Sequence, residues 1–286
     1  MSSFAALRQA VGRPRVMGVV NVTPDSFSDG GRYLATDDAV THGRELIADG
    51  ADIVDIGGES TRPGATRPLV AEELARVIPV IEELSAEGAV VSVDTMRAEV
   101  AEAALDAGAA IVNDVSGGLA DPRILEVAAA HDAAYIAMHW RAHSTAMQQK
   151  EFTDYGGDVV GTVADELAAR IDAALAAGIA PERLVIDPGL GFSKTAAQNW
   201  ELIAGLDRFE AFGYPVLVGA SRKTFLGRLL ADDDGNLRSV DEREYAHAAL
   251  VAHLAERGVW GLRVHDVRAT CDALAAADML REVGAR

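Results

Sequence analysis

VVSVDTMRAEVAEAALDAGAAIVNDV (90–115) contains one complete repeat of the fold. VVSVD (90–94) is a short β-branched run ending on a carboxylate. RAEVAEAALDAG (97–108) follows with helical spacing of apolar residues and stops at Gly108, a residue suited to a helix C-terminus. AIVNDV (110–115) is a second apolar run, again ending in polar residues. Continuous apolar runs suit parallel strands covered on both faces, and parallel neighbours need a crossover helix between them.

On both sides the pattern repeats. Further strands are predicted at VMGVVNV (16–22), DIVDIG (52–57), AYIAMH (134–139), LVIDPG (184–189), PVLVGAS (215–221) and GLRVHDV (261–267). Helices are predicted over 36–50, opening on Thr36 and closing on Gly50, and over 161–178, closing on Gly178. Eight strand–helix units in series predict a single (β/α)₈ TIM barrel, an α/β fold formed as one domain over residues 1–286. A doubly wound sheet is the alternative. It usually has fewer strands and a Gly-rich dinucleotide turn, and no G-x-G-x-x-G occurs here.

Composition narrows the function. The 286 residues are 49% hydrophobic, enough for one large core. Lys and Arg number 26 against 44 Asp and Glu, a formal net charge of −18, so the surface repels phosphate backbones and argues against nucleic-acid binding. Phosphate chemistry would need a local cationic pocket. Cys271 is the single cysteine, which fits a reducing compartment. The N-terminal stretch has no apolar signal core and no run is long enough to span a bilayer, so a cytoplasmic protein without membrane association is expected.

Polar residues cluster at the C-terminal ends of the predicted strands: Asn21, Asp55, Asp94, Asn113, Met138 and His139, Asp187, Ser221 and His265. In a barrel those ends converge on one mouth, where active sites form. One or two could be satisfied structural groups; a set spread over nearly every strand is harder to explain that way.

Two loop motifs stand out. NVTPDSFSDGG (21–31) is too long for a tight βα turn and places Phe27 among small polar residues. An ordinary surface loop is the bland reading; the alternative is an aromatic that covers a ring-shaped substrate. DIGGESTRPGA (55–65) has Gly57 and Gly58 for close backbone approach, Thr61 and Arg62 as phosphate-binding groups, and a turn at Pro63 and Gly64.

These two segments together resemble the dihydropteroate synthase family. So do, in the same order, SVDTMRAEVAEAAL (92–105), NDVSGG (113–118), MHWR (138–141), DPGLGFSKT (187–195), VGASRKTFLG (218–227) and RVHDVRA (263–269). The resemblance covers nearly the whole chain. It implies condensation of a 7,8-dihydropterin bearing a CH₂-pyrophosphate with p-aminobenzoate, giving 7,8-dihydropteroate and pyrophosphate.

The resemblance also implies the site. Asp94, Asn113 and Asp187 match positions that read the pterin edge, for which carboxylates and an amide in a dry pocket are suited. Lys223 matches the lysine near the pterin carbonyl. Met138, Phe192 and Gly219 would wall the pocket, with Arg263 over the ring face. Asp94, Lys223 and Arg263 form the expected catalytic set. Asn21, Arg263 and His265 match the pyrophosphate site, joined by Thr61 and Arg62. A Mg²⁺ between Asn21 and phosphate oxygens would complete the neutralisation. Phe27, Pro63, Ser221 and Lys223 are expected around p-aminobenzoate, with closure of segments 21–31 and 55–65 excluding water. A homodimer through late barrel helices and sensitivity to sulfonamides are further expectations.

Bland readings stand beside these. Asp94 and Asp187 could cap the helices that follow them, and His265 could be a packed core histidine. His139 and His143 lie four apart, but a strand ends at the first and no third zinc ligand follows. DDDGN (232–236) lacks calcium-loop spacing and is expected to be a solvated turn. Rival functions are a methyltetrahydrofolate-binding methyltransferase barrel, which needs no pyrophosphate site, and a non-catalytic pterin-binding paralogue, which would usually lose charged residues at the mouth. Asn21, Asp94, Asn113, Asp187, Lys223, Arg263 and His265 are all present.

Overall fold

Eight parallel strands follow the predicted series in the computed structural model, which describes residues 4, 7, 12–22, 32–59 and 67–284. They are β1 (Arg15–Asn21), β2 (Ile53–Gly57), β3 (Val91–Asp94), β4 (Ile111–Asp114), β5 (Ala134–Met138), β6 (Leu184–Asp187), β7 (Leu217–Val218) and β8 (Gly261–Val264). Each pairs with its chain neighbour, β8 returns to β1, and an Ile186–Val216 bridge joins β6 to the β7 segment. The result is a nearly closed TIM barrel, as expected from eight βα units.

The main covering helices are α1 (Arg32–Ala48), α2 (Val70–Ala86), α3 (Ala98–Asp106), α4 (Arg123–Ala130), α5 (Val159–Ala176), α6 (Ala196–Ala204), α7 (Glu244–Glu256) and α8 (Val267–Gly284). Gly50, Gly108 and Gly178 follow α1, α3 and α5 with φ of 107°, 107° and 98°, as helix-ending glycines do. Two elements depart most from the sequence reading. α1 starts at Arg32, so Thr36 lies inside it; residues 32–35 are adequate helix formers and a hydroxyl does not by itself set a start. β7 spans two residues rather than seven. Pro215 has no N–H to give, so it accepts from the Ile186 amide at 2.9 Å and regular pairing begins only after it.

Strand alternation sorts the side chains. Val16, Val20, Val54, Ile56, Val91, Val93, Val112, Tyr135, Ile186, Val218, Leu262 and Val264 belong to the outer core. Met17, Ile53, Ile111, Ile136, Val185 and Leu217 fill the barrel floor, with Phe4 and Leu7 against them. Steps of two up the strands lead from that floor to the mouth: Ile53 to Asp55, Ile111 to Asn113, Val185 to Asp187 and, in two steps, Met17 to Asn21. Among the described residues, no helix is long and apolar enough to cross a membrane.

Candidate functional site

Register fixes the mouth. Asn21 is opposite Gly57, Gly57 opposite Asp94, and Asp94 opposite Asn113, so four neighbouring strands place these residues in one row. Met138 is likewise opposite Asp187. Each lies an even number of residues from a floor side chain on its own strand, for example Asn21 from Met17 and Asp187 from Val185, and therefore faces inward.

Arg263 spans this row from β8. Its Nε donates to Asp55 Oδ2 at 2.6 Å and its Nη2 to Asp94 Oδ2 at 2.7 Å. Asp55 Oδ2 also accepts from Asn113 Nδ2 at 3.0 Å. Asp55 is fully buried, and its Oδ1 has no hydrogen-bond partner. Burial opposes the Arg263 charge, but Asp55 and Asp94 outweigh it and hold the guanidinium firmly protonated. Burial raises the Asp94 carboxyl above the ordinary carboxylate range, with Arg263 pulling it down and Asp55 pushing it further up. The balance is a tightly coupled cation between two carboxylates, with one spare carboxylate oxygen.

Asp187 and Lys223 face this triad. Burial raises Asp187, opposed mainly by Lys223. The Lys223 ammonium is lowered to about 8 by burial, opposed by Asp187. Its Nζ bonds the Leu190 carbonyl and sits 4.9 Å from the Phe192 ring centroid. A Cβ at Gly219 would lie 3.6 Å from Lys223 Nζ and 3.7 Å from Arg263 Cβ, so this glycine keeps space open between the two cations. Met138 packs with Met96 and Val115, and Phe192 borders the same apolar wall. Polar edge-reading groups thus adjoin a flat apolar wall, the pattern a heteroaromatic ligand requires.

Neither aspartate caps a helix. The N-terminal amide of α3, at Ala98, bonds Asp121 at 3.0 Å, and α6 is capped by Thr195. Asp187 instead accepts from the Gly189 amide at 2.7 Å.

His265 and Ser221 meet on the other side of Arg263. His265 Nδ1 lies 3.0 Å from Ser221 Oγ, which also accepts from the His265 amide at 3.2 Å. Burial, then Arg263 and Arg222, lower His265 to about 3, so it is neutral before any anion arrives. α8 begins two residues later, with Asp266 accepting from the Ala269 amide at 2.9 Å. The geometry therefore groups Ser221 with His265. Phe27, Pro63, Thr61 and Arg62 lie outside the described residues.

Two participants escaped the sequence reading. Asp55 was visible as a strand-end polar residue but had no role; a carboxylate interrupting IVDIG at inward parity was the available signal. Lys194 is buried, and its Nζ lies 2.9 Å from His139 Nδ1. Nothing local marks that lysine as internal. His139 uses its other ring nitrogen on Glu166 at 2.8 Å.

This mouth defines a pterin-binding (β/α)₈ enzyme, and a family model described as pterin binding enzyme matches residues 17–265. The dihydropteroate synthase of Mycobacterium leprae is 56% identical over 91% of this chain and 91% of its own. The Xanthomonas albilineans dihydropteroate synthase solved with 4-aminobenzoic acid is 46% identical, covers 94% of this chain and 93% of its own, and has a TM-score of 0.85. Its complex with 7,8-dihydropteroate is matched at 43% identity over 96% and 95% of the two chains, TM-score 0.83. The chain belongs to the dihydropteroate synthase family.

Proposed function

We infer that this chain condenses 6-hydroxymethyl-7,8-dihydropterin pyrophosphate with p-aminobenzoate, releasing 7,8-dihydropteroate and pyrophosphate. The observation that carries the reading is the buried assembly Asp55–Arg263–Asp94 beside Asn113, Asp187 and Lys223. A pterin offers an amide and guanidine-like edge, and these groups supply complementary acceptors and donors in a water-poor pocket.

The bond from the pterin CH₂ to the pyrophosphate oxygen breaks, and the leaving group keeps the electron pair. Asp94 and Asp55 stabilise the positive charge that develops on the pterin methylene, while Arg263 keeps the two carboxylates from repelling each other. The amine nitrogen then bonds to the methylene and releases one proton. An arylamine is neutral and nucleophilic near neutral pH, so no dedicated general base is needed.

Arg263, His265 and Ser221, with the start of α8, are suited to the leaving pyrophosphate. Lys223 is suited to the pterin carbonyl. Asn21, half-buried at the mouth, presents a neutral amide oxygen of the kind Mg²⁺ accepts. No group of three or more His, Cys, Asp or Glu able to hold a metal occurs among the described residues. Asn21 together with phosphate oxygens and water would therefore hold the ion, which when bound would neutralise the diphosphate. Thr61 and Arg62 are assigned to the phosphates, and Phe27 and Pro63 to the amine.

A homodimer is supported by an apolar groove among α6, α7 and the short helix Thr224–Leu229, lined by Trp200, Ile203, Leu229 and Leu250. A cytoplasmic location is consistent with the lone, half-buried Cys271. The complete anion-binding group set disfavours a methyltetrahydrofolate-binding barrel, and the intact charged mouth disfavours a non-catalytic paralogue.

The test is pyrophosphate release from purified protein given the dihydropterin pyrophosphate and Mg²⁺, with and without p-aminobenzoate. Amine-dependent release, lost in folded Lys223→Ala and Arg263→Ala proteins, supports the reading. Pterin binding without release would favour the paralogue, and no pterin binding would overturn the reading.

A further inference from the structure

β6 ends at Asp187, whose backbone is paired with β5, and the 188–194 turn that follows has no ladder to hold it; its Gly189 amide bonds the Asp187 carboxylate at 2.7 Å, and it carries Phe192 to the pocket wall. Its backbone is unusual: Gly189 has φ 70° and Ser193 φ 51°. A Cβ at Gly189 would fall 2.3 Å from the His139 carbonyl oxygen, so the turn rests directly on the end of β5. Folding back in this way points the Gly189 and Phe192 carbonyls at a single point. Lys194 Nζ occupies that point, donating to both carbonyls at 2.9 Å each and approaching His139 Nδ1 at 2.9 Å.

All three ammonium protons thus have acceptors. With Nδ1 accepting, the neutral ring donates from Nε2 to Glu166, which is also gripped by Arg141 at 2.6 and 3.0 Å. Arg141 lies 3.8 Å from the Tyr155 ring centroid, and the Tyr155 hydroxyl bonds the Ser193 carbonyl at 3.0 Å. The chain of contacts begins and ends on the same turn. A buried lysine carries a large desolvation penalty, which the three acceptors it holds together offset.

We propose that Lys194, through His139 and Glu166, is a positioning residue for the pterin pocket that fixes the 188–194 turn, so that the Asp187 carboxylate bonded to its Gly189 amide and the Phe192 ring meet the pterin. It touches no substrate. Its charge has a second effect, because Asp187 faces three cations, Lys223, Lys194 and Arg263. Lys194 itself faces Asp187, Lys223, Arg141 and Glu166, and burial holds it well below its ordinary value. Removing Lys194 withdraws one cation from Asp187 and moves that carboxyl upward.

The proposal rests on the synthase reading, and direct pterin binding separates the two. Lys194→Met is expected to weaken pterin binding and raise the pterin KM by about tenfold or more, while the p-aminobenzoate KM stays within twofold. The acid limb of kcat/KM for the pterin should move to higher pH. His139→Gln keeps an acceptor for Lys194 and a donor for Glu166 and should retain pterin binding; His139→Leu should lose it. If Lys194→Met does not fold, the His139 pair decides. Unchanged pterin binding in folded Lys194→Met or His139→Leu protein overturns the proposal. So does an equal loss for both substrates without a pH shift, which would mean general destabilisation. If wild-type protein binds pterin but turns nothing over, the reaction reading fails while the binding comparison still judges Lys194.

Discussion

Replacing Asp55 tests the site at its centre. Asp55→Ala removes one acceptor shared by Arg263 Nε and Asn113 Nδ2. Asn113 is buried, and stranding its donor costs about 1–3 kcal/mol. Arg263 keeps Asp94 and loses one charge-assisted bond; because its side chain is 22% exposed, we take about 1.5–3 kcal/mol. The sum, about 2.5–6 kcal/mol, divides between folding and substrate binding. A share of about 2.7 kcal/mol in binding corresponds to a hundredfold loss of kcat/KM for the pterin. Asp55→Asn should suffer less, because its amide oxygen can occupy the Oδ2 position and accept both bonds. Pyrophosphate release and thermal unfolding, measured on both variants, should rank wild type above Asn above Ala. Asp55 also raises Asp94, so its loss should move the Asp94 carboxyl down and the acid limb of activity to lower pH. Folded Asp55→Ala protein within threefold of wild-type kcat/KM would refute this account.

Gly219→Ala meets only ordinary contacts at 3.6 and 3.7 Å, so its melting temperature should stay near wild type while pterin affinity falls several-fold; calorimetric titration reads this. Burial lowers His139 to about 4 and His265 to about 3, so the unfolded chain binds protons there that the folded chain refuses. Their contribution should be flat above about pH 6.5 and should fall by about 1.4 kcal/mol per group per pH unit toward pH 4, visible in urea unfolding. Tyr135→Phe breaks a buried 2.7 Å bond to Asp114 on the outer side of the barrel and should cost about 1.5–3 kcal/mol of stability without changing the pterin KM. A sulfonamide shaped like p-aminobenzoate should inhibit competitively with the amine; inhibition unaffected by amine concentration would refute a shared subsite.

The order of elements and the identity of most mouth residues could be read along the chain, because both are local. A parallel strand announces itself by an uninterrupted apolar run, and the C-terminal ends of such runs mark Asp94, Asn113 and Asp187 as mouth residues. What the sequence could not supply were relations between residues distant along the chain. Asp55 and Arg263 stand 208 positions apart, and only barrel closure makes them an ion pair. Ser221 and His265 stand 44 positions apart, and their contact exists because β7 and β8 are neighbours in the barrel. Lys194 looks like any lysine before a helix, and it is internal because the turn folds back onto β5. Local pattern sets which face a side chain takes, since that depends on backbone geometry over a few residues. Partners, burial and charge state depend on which strands closure and loop packing bring together, and those were decided by the tertiary structure.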